Sequence, residues 1–142
     1  MALPRIVVAD EDHNFLVEEV SLLAAEFDVV ATATDGNEAL NLIRFHHPDA
    51  AVLGYHLPTL GGIDITRHLT QHPPAPPVVI CSAETHSLIV QAARRAGALG
   101  YVFKKSARRD LVAAVKLALR GQNFRSFNFL PISLDEPPPE TE

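Results

Sequence analysis

AAVLGYHLPTLGG, residues 50–62, decides the reading of the chain. Ala51, Val52 and Leu53 form a short apolar run with no polar alternation, as in a strand buried on both faces. Pro58, Gly61 and Gly62 then punctuate a turn. Ile65 and Leu69 follow at helical spacing. Strand, turn and helix thus occur within about twenty residues, the length of one unit of a parallel sheet. The strand ends in Gly54, which offers no side chain at all.

The same unit recurs on both sides. Arg5–Ala9 is a β-branched run, and Leu16, Val20 and Leu23 mark one face of a helix after it. Phe27–Ala33 predicts a second strand, and Asp35 with Glu38 resembles a capping box opening a helix with Ala39, Leu40 and Ile43 inward. QHPPAPP, residues 71–77, reads as a stiff connection, because proline lacks the donor that helix and sheet require. Val78–Ser82 predicts the fourth strand. Leu88, Ile89, Ala92, Ala93 and Ala96 predict a helix stopped by Gly97. Leu99–Phe103 predicts the fifth strand. Ser106 is placed to cap a last helix with Leu111, Val112, Val115 and Leu119 inward, stopped by Gly121. Five alternations with right-handed crossovers predict a doubly wound α/β fold with a five-stranded parallel sheet.

Composition narrows the function. A chain of 142 residues, 47% hydrophobic and 20% charged, suits one globular domain. A net charge of −5 argues against a nucleic-acid surface, and the basic residues Arg94, Arg95, Lys104, Lys105, Arg108 and Arg109 read as solvated helix faces. Cys81 is the single cysteine, so no internal disulfide forms, and its apolar setting reads as core. No run is long enough for a membrane span and no signal segment opens the chain, so a cytoplasmic protein is expected. Residues 1–121 read as the domain and 122–142 as a tail. Residues 124–132 are apolar and expected to pack, whereas DEPPPETE, 135–142, has a disordered composition.

Functional groups of such sheets gather at the carboxyl ends of the strands. Strand one ends in Asp10, Glu11 and Asp12, strand four in Ser82, and strand five in Phe103 and Lys104. Three adjacent acids repel one another and invite a divalent cation or a lysine. His56 and His86 lie near the same crevice, but no metal-ligand spacing accompanies them.

Four motifs at these strand ends, ADED (9–12), PDAAVLGYHLPTLGG (48–62), VVICSA (78–83) and GALGYVFKKSA (97–107), resemble the receiver domains of two-component response regulators. The wording of the last, with GQNF after the final helix, is most similar to receivers that precede a LuxR-type DNA-binding domain. The resemblance implies a flavodoxin-like (βα)5 fold with strand order 2-1-3-4-5. It implies that Asp10, Glu11 and the backbone carbonyl of His56 stand where Mg²⁺ is held, that Ser82 and Lys104 stand where a phosphoryl group is contacted, and that Tyr101 is the aromatic that rotates. The phosphoacceptor position falls on Gly54, with Leu57–Pro58 fixing the register. Glycine has no nucleophile to form an acyl phosphate. It also removes one metal ligand, so Mg²⁺ is expected to bind weakly and no cofactor to be required. Lys104 is expected to lean toward Asp10 or Glu11.

Three functions are compatible with this pattern. The first is a pseudo-receiver, not an enzyme, acting through protein partners (a sensor kinase or regulatory protein, or a second copy in a homodimer) without phosphorylation. The second is a phosphorelay receiver locked off by loss of its aspartate. The third is a small-ligand binder or enzyme on the same fold, for which no glycine-rich phosphate loop or catalytic triad is present.

Overall fold

The computed structural model describes residues 2–127. The elements alternate as β1 (Arg5–Ala9), α1 (His13–Ala24), β2 (Asp28–Ala33), α2 (Gly36–His46), β3 (Ala50–Gly54), α3 (Gly62–Gln71), β4 (Val78–Ser82), α4 (Ser87–Ala96), β5 (Gly100–Phe103), α5 (Ala107–Leu119) and β6 (Phe124–Arg125). All strand pairs are parallel, in the order β2-β1-β3-β4-β5-β6. The fold is the expected flavodoxin-like α/β architecture, with a correction: six strands are present among the described residues where the apolar pattern predicts five.

Strand side chains alternate between two cores. Val7, Leu53, Ile80 and Tyr101 face the layer of α2, α3 and α4. Ile6, Val8, Val52, Cys81 and Val102 face α1 and α5. Burial on both faces explains why the central strands read as continuous apolar runs. Cys81 is fully buried, as core.

The sixth strand arises from an unpaired edge. β5 would otherwise expose its backbone groups. Instead Phe124 N–H donates to Leu99 O and Ser126 N–H to Tyr101 O, both at 2.9 Å. Ser126 pins the strand: its hydroxyl accepts from Phe103 N–H at 3.1 Å and donates to Asp110 Oδ2 at 2.6 Å. Arg109 and this hydroxyl hold the Asp110 carboxyl below the usual carboxylate range. Replacing Ser126 by Ala strands a buried N–H, so Ser126→Ala is expected to cost about 1–3 kcal/mol in urea unfolding. The Phe103 amide should exchange faster in that variant. An unchanged midpoint and unchanged exchange would show that β6 is not held by this side chain. Of the apolar residues expected to pack after α5, Phe124 lies against the α1–α5 core and Phe127 is partly exposed. The remainder, with the acidic stretch 135–142, lies outside the described residues.

Local details also differ. The α1 stripe contains Glu19, fully buried, while Val20 is only partly buried. Leu88 is 66% exposed and Val90 takes the inward place on α4. Ser106 makes no side-chain cap, because a 3-10 turn at Lys104–Ser106 leads directly into α5. Asp35 does cap α2, accepting from Asn37 N–H and Glu38 N–H.

Candidate functional site

The register of the sheet brings four strand ends to one edge. Ala9 lies opposite Leu53, Gly54 opposite Cys81, and Ser82 opposite Phe103. Asp10 and Glu11 therefore leave β1 beside the end of β3, and Lys104 arrives from β5.

The centre of the site is an ion pair. Lys104 Nζ donates to Asp10 Oδ1 at 2.9 Å and lies 3.6 Å from Glu11 Oε1. Lys104 also sits over the Phe15 ring, 4.7 Å from its centroid. Asp10 is fully buried, and burial raises its pKa against the lowering effect of Lys104 and of the Asp12 N–H. Burial works against the Lys104 ammonium, but Asp10 and Glu11 outweigh it and hold its pKa above the ordinary value.

The second carboxylate oxygens point elsewhere. Asp10 Oδ2 and Glu11 Oε2 are buried and have no hydrogen-bond partner among the described residues. Both face Gly54: a Cβ built there would lie 3.2 Å from Glu11 Oε2 and 3.3 Å from Asp10 Oδ2. A side chain from the end of β3 would thus enter the middle of the pocket. The backbone beneath is closely packed, since a Cβ on Gly62 would meet Gly54 O at 2.4 Å. Only glycine permits that approach of α3 to β3.

Asp12 does not join the pocket. Its carboxylate caps α1, accepting from Asn14 N–H and Phe15 N–H, while its own N–H donates to Asp10 Oδ1. Asp12 thus orients Asp10 through the backbone. Ser82 is buried, and its hydroxyl accepts from Glu84 N–H at 3.0 Å. The Tyr101 ring is buried, with its hydroxyl donating to Glu84 O at 2.7 Å. Burial raises the Tyr101 pKa. Ser82 and Tyr101 thus both hold the β4–α4 loop at Glu84. The two crevice histidines are engaged separately: His56 Nε2 lies 3.0 Å from Glu84 Oε1, and His86 Nδ1 accepts from Leu88 N–H at the start of α4. Among the described residues no group of three or more His, Cys, Asp or Glu side chains is placed to hold a metal ion.

One member of the site escapes sequence reasoning. Glu19 on α1 has both carboxyl oxygens buried, with no close hydrogen-bond partner among the described residues. Desolvation, reinforced by the charge of Asp10, pushes its pKa up to about 9, against the opposing pull of Lys104 and the neighbouring Cys81 thiol. The signal was present in the spacing: Glu19 lies three residues after Leu16 and four before Leu23, on the buried stripe.

Lys104 is the countercharge to the buried Asp10. Removing one partner of such a pair leaves an uncompensated charge. Because Lys104 keeps some solvent contact, Lys104→Met is expected to destabilise by about 2–3 kcal/mol at neutral pH. The deficit should shrink in acid, where Asp10 takes up a proton. A deficit independent of pH would assign the loss to packing alone.

Comparison with known proteins agrees with this geometry. The family model of the response regulator receiver domain matches residues 6–116. The transcriptional regulatory protein PdtaR of Mycobacterium tuberculosis is 32% identical over 120 residues, covering 83% of this chain and 58% of PdtaR. DegU of Brevibacillus brevis is 32% identical over 120 residues, covering 82% of this chain and 50% of DegU. The chain therefore spans about half the length of these curated relatives. The signal receiver domain of NarL from Mycobacterium tuberculosis superposes with a TM-score of 0.82 at 32% identity, covering 86% of this chain and all of that one. A LuxR-family two-component response regulator from Aurantimonas sp. SI85-9A1 gives 0.81 at 34%, covering 87% and 89%. No helix among the described residues is long and apolar enough to cross a membrane. Matched over most of its length by the family model, and with the acids of β1 and the lysine of β5 meeting as an ion pair at the strand ends, the chain belongs to the response regulator receiver domains of two-component systems.

Proposed function

We propose that this receiver does not accept a phosphoryl group and signals through protein contacts that are independent of phosphorylation. The observation that carries the reading is Gly54. Its missing side chain would project between Asp10 and Glu11, where the family's acceptor is expected, and nothing nucleophilic takes that place. Among the described residues the Ser82 hydroxyl is engaged by the Glu84 N–H and the Tyr101 side chain, neither of which is a base that would activate it. Asp10 is committed to Lys104.

The donor set is compatible with a divalent cation, because two orphaned carboxylate oxygens face a common point. Asp10, Glu11 and the His56 carbonyl would hold it, and a bound cation would supply neutralising charge. With no third carboxylate, and with Lys104 already balancing the two acids, affinity for Mg²⁺ is low. The protein partner, a sensor kinase or regulatory protein, would meet one of the helical faces of the domain. Pairing of two copies through the same faces is a further mode of contact.

An NMR amide titration of the unmodified protein tests the reading. Adding Mg²⁺ and then acetyl phosphate should leave the amides of Asp10, Glu11, Gly54 and Tyr101 essentially unmoved at millimolar metal. Saturable shifts with Mg²⁺, followed by a second set with acetyl phosphate, would contradict it.

A further inference from the structure

Two histidines stand one turn apart at the end of α3. His72 follows His68 by four residues, the spacing that sets two side chains one above the other on a helix face. Their ring centroids lie 4.5 Å apart and the rings are tilted by 30°. Two imidazoles at this spacing hold Zn²⁺ where one helix supplies both.

The hydrogen bonds fix both tautomers. A backbone carbonyl only accepts, so His72 Nδ1, 2.9 Å from His68 O, carries a proton and donates it. In the neutral ring, Nε2 then keeps its lone pair. Metal-ligating histidines adopt this arrangement, with the other ring N–H held by a carbonyl. A guanidinium only donates, so His68 Nε2 accepts from the Arg44 side chain on α2. The His68 lone pair is thus already directed at a cation. Partial burial, together with the neighbouring charges of His72 and Arg44, lowers the His68 pKa, which leaves the ring neutral at about pH 7. The carbonyl end of α3 also favours positive charge.

We propose that His68 Nε2 and His72 Nε2 chelate a divalent late transition metal ion, Zn²⁺ or its neighbours, with the exposed Arg44 side chain turning away to admit it. Imidazole suits Zn²⁺, Ni²⁺ and Cu²⁺, whereas Mg²⁺ takes oxygen ligands. The site also lies apart from the acidic strand ends: α3 starts against Gly54 and its ten residues carry His72 about 15 Å away. Zn–N bonds of about 2.0–2.1 Å put two nitrogens of a tetrahedral site roughly 3.3 Å apart. Rotation of two surface side chains whose rings are 4.5 Å apart reaches that separation. Solvent completes the coordination. The inference does not depend on whether Gly54 abolishes phosphorylation.

Zn²⁺ titration of the untagged full chain, followed by NMR of the imidazole nitrogens, tests it. Nε2 of His68 and of His72 should shift saturably, while His13, His46, His47, His56 and His86 stay in place. His68→Gln and His72→Gln should each weaken binding about tenfold or more, with the amide spectrum of the sheet unchanged. Arg44→Gln should tighten binding about twofold or more, because it removes a competing donor and a like charge. Four results would overturn the proposal: no saturable shift of the two rings, shifts led by other histidines, affinity indifferent to the loss of either ring, or weaker binding in Arg44→Gln.

Discussion

Gly54→Asp is expected to convert a protein that takes no label from acetyl phosphate into one that does, in the presence of Mg²⁺. The new carboxylate would stand between Asp10 Oδ2 and Glu11 Oε2, the two oxygens that lack partners. Its oxygen would attack the phosphorus of acetyl phosphate, forming an acyl phosphate and releasing acetate. The space is tight by a few tenths of an ångström, but the obstructing atoms are ends of side chains rather than backbone. Three carboxylates in one pocket repel, so without a cation the variant should lose about 1–3 kcal/mol of stability. Mg²⁺ should reverse that loss, adding about 2.7 kcal/mol when free metal exceeds Kd a hundredfold. The same metal should hardly move the melting temperature of the unmodified protein. A variant that folds, responds to Mg²⁺ and still refuses label would place a second defect in the site, with Glu11 the first residue to change to Asp.

The second large effect concerns Glu19 and pH. Its folded pKa, about 9, lies far above the value of 4.5 expected in the unfolded chain. Between those values the folded protein holds a proton that the unfolded chain has released. Stability from this group is therefore complete below the unfolded pKa and is lost as pH rises, at about 1.4 kcal/mol per unit until the folded pKa is passed. At about pH 7 the burden is on the order of 3 kcal/mol. Glu19→Gln keeps the shape and removes the titration. The two proteins should be similar in urea unfolding near pH 5, and the variant should be more stable by about 3 kcal/mol near pH 7. Asp10, Glu11, Lys104 and the Cys81 thiol act on Glu19 in the folded protein and are present in both, so the difference between the curves isolates the one carboxyl. Parallel stability curves would show that Glu19 is ionised, or solvated, in the folded state.

The sequence made most of this architecture legible because the central strands are buried on both faces and carry no ambiguity of period. Val78–Ser82 appears with the bounds its apolar run implies, and the Ala51–Leu53 run lies inside a strand that also takes in Ala50 and Gly54. The sixth strand was not legible. Phe124–Arg125 has no strand pattern of its own and exists because β5 leaves an edge open and Ser126 bonds to Phe103 and Asp110. Such pairing is a property of the folded sheet, not of a local window. Within the site, Lys104 reaches Asp10 and Glu11 as expected, since all the strands are parallel and their carboxyl ends share one edge of the sheet, where a lysine side chain is long enough to cross from β5 to β1. Asp12 was misread because an acid beside two acids looks like part of a cluster, whereas its position before α1 makes it a helix cap. Glu19 drew no attention in the sequence because a glutamate in a helix is ordinarily exposed, and only the stripe spacing says otherwise.

The most direct test of the central claim is the intact mass of the unmodified protein after incubation with acetyl phosphate and Mg²⁺, with Gly54→Asp treated in parallel. The expected result is an unchanged mass for the Gly54 protein and a gain of one phosphoryl group for the aspartate variant. A phosphoryl group on the Gly54 protein, mapped to Asp10, Asp12, Ser82 or any other residue, would contradict the account.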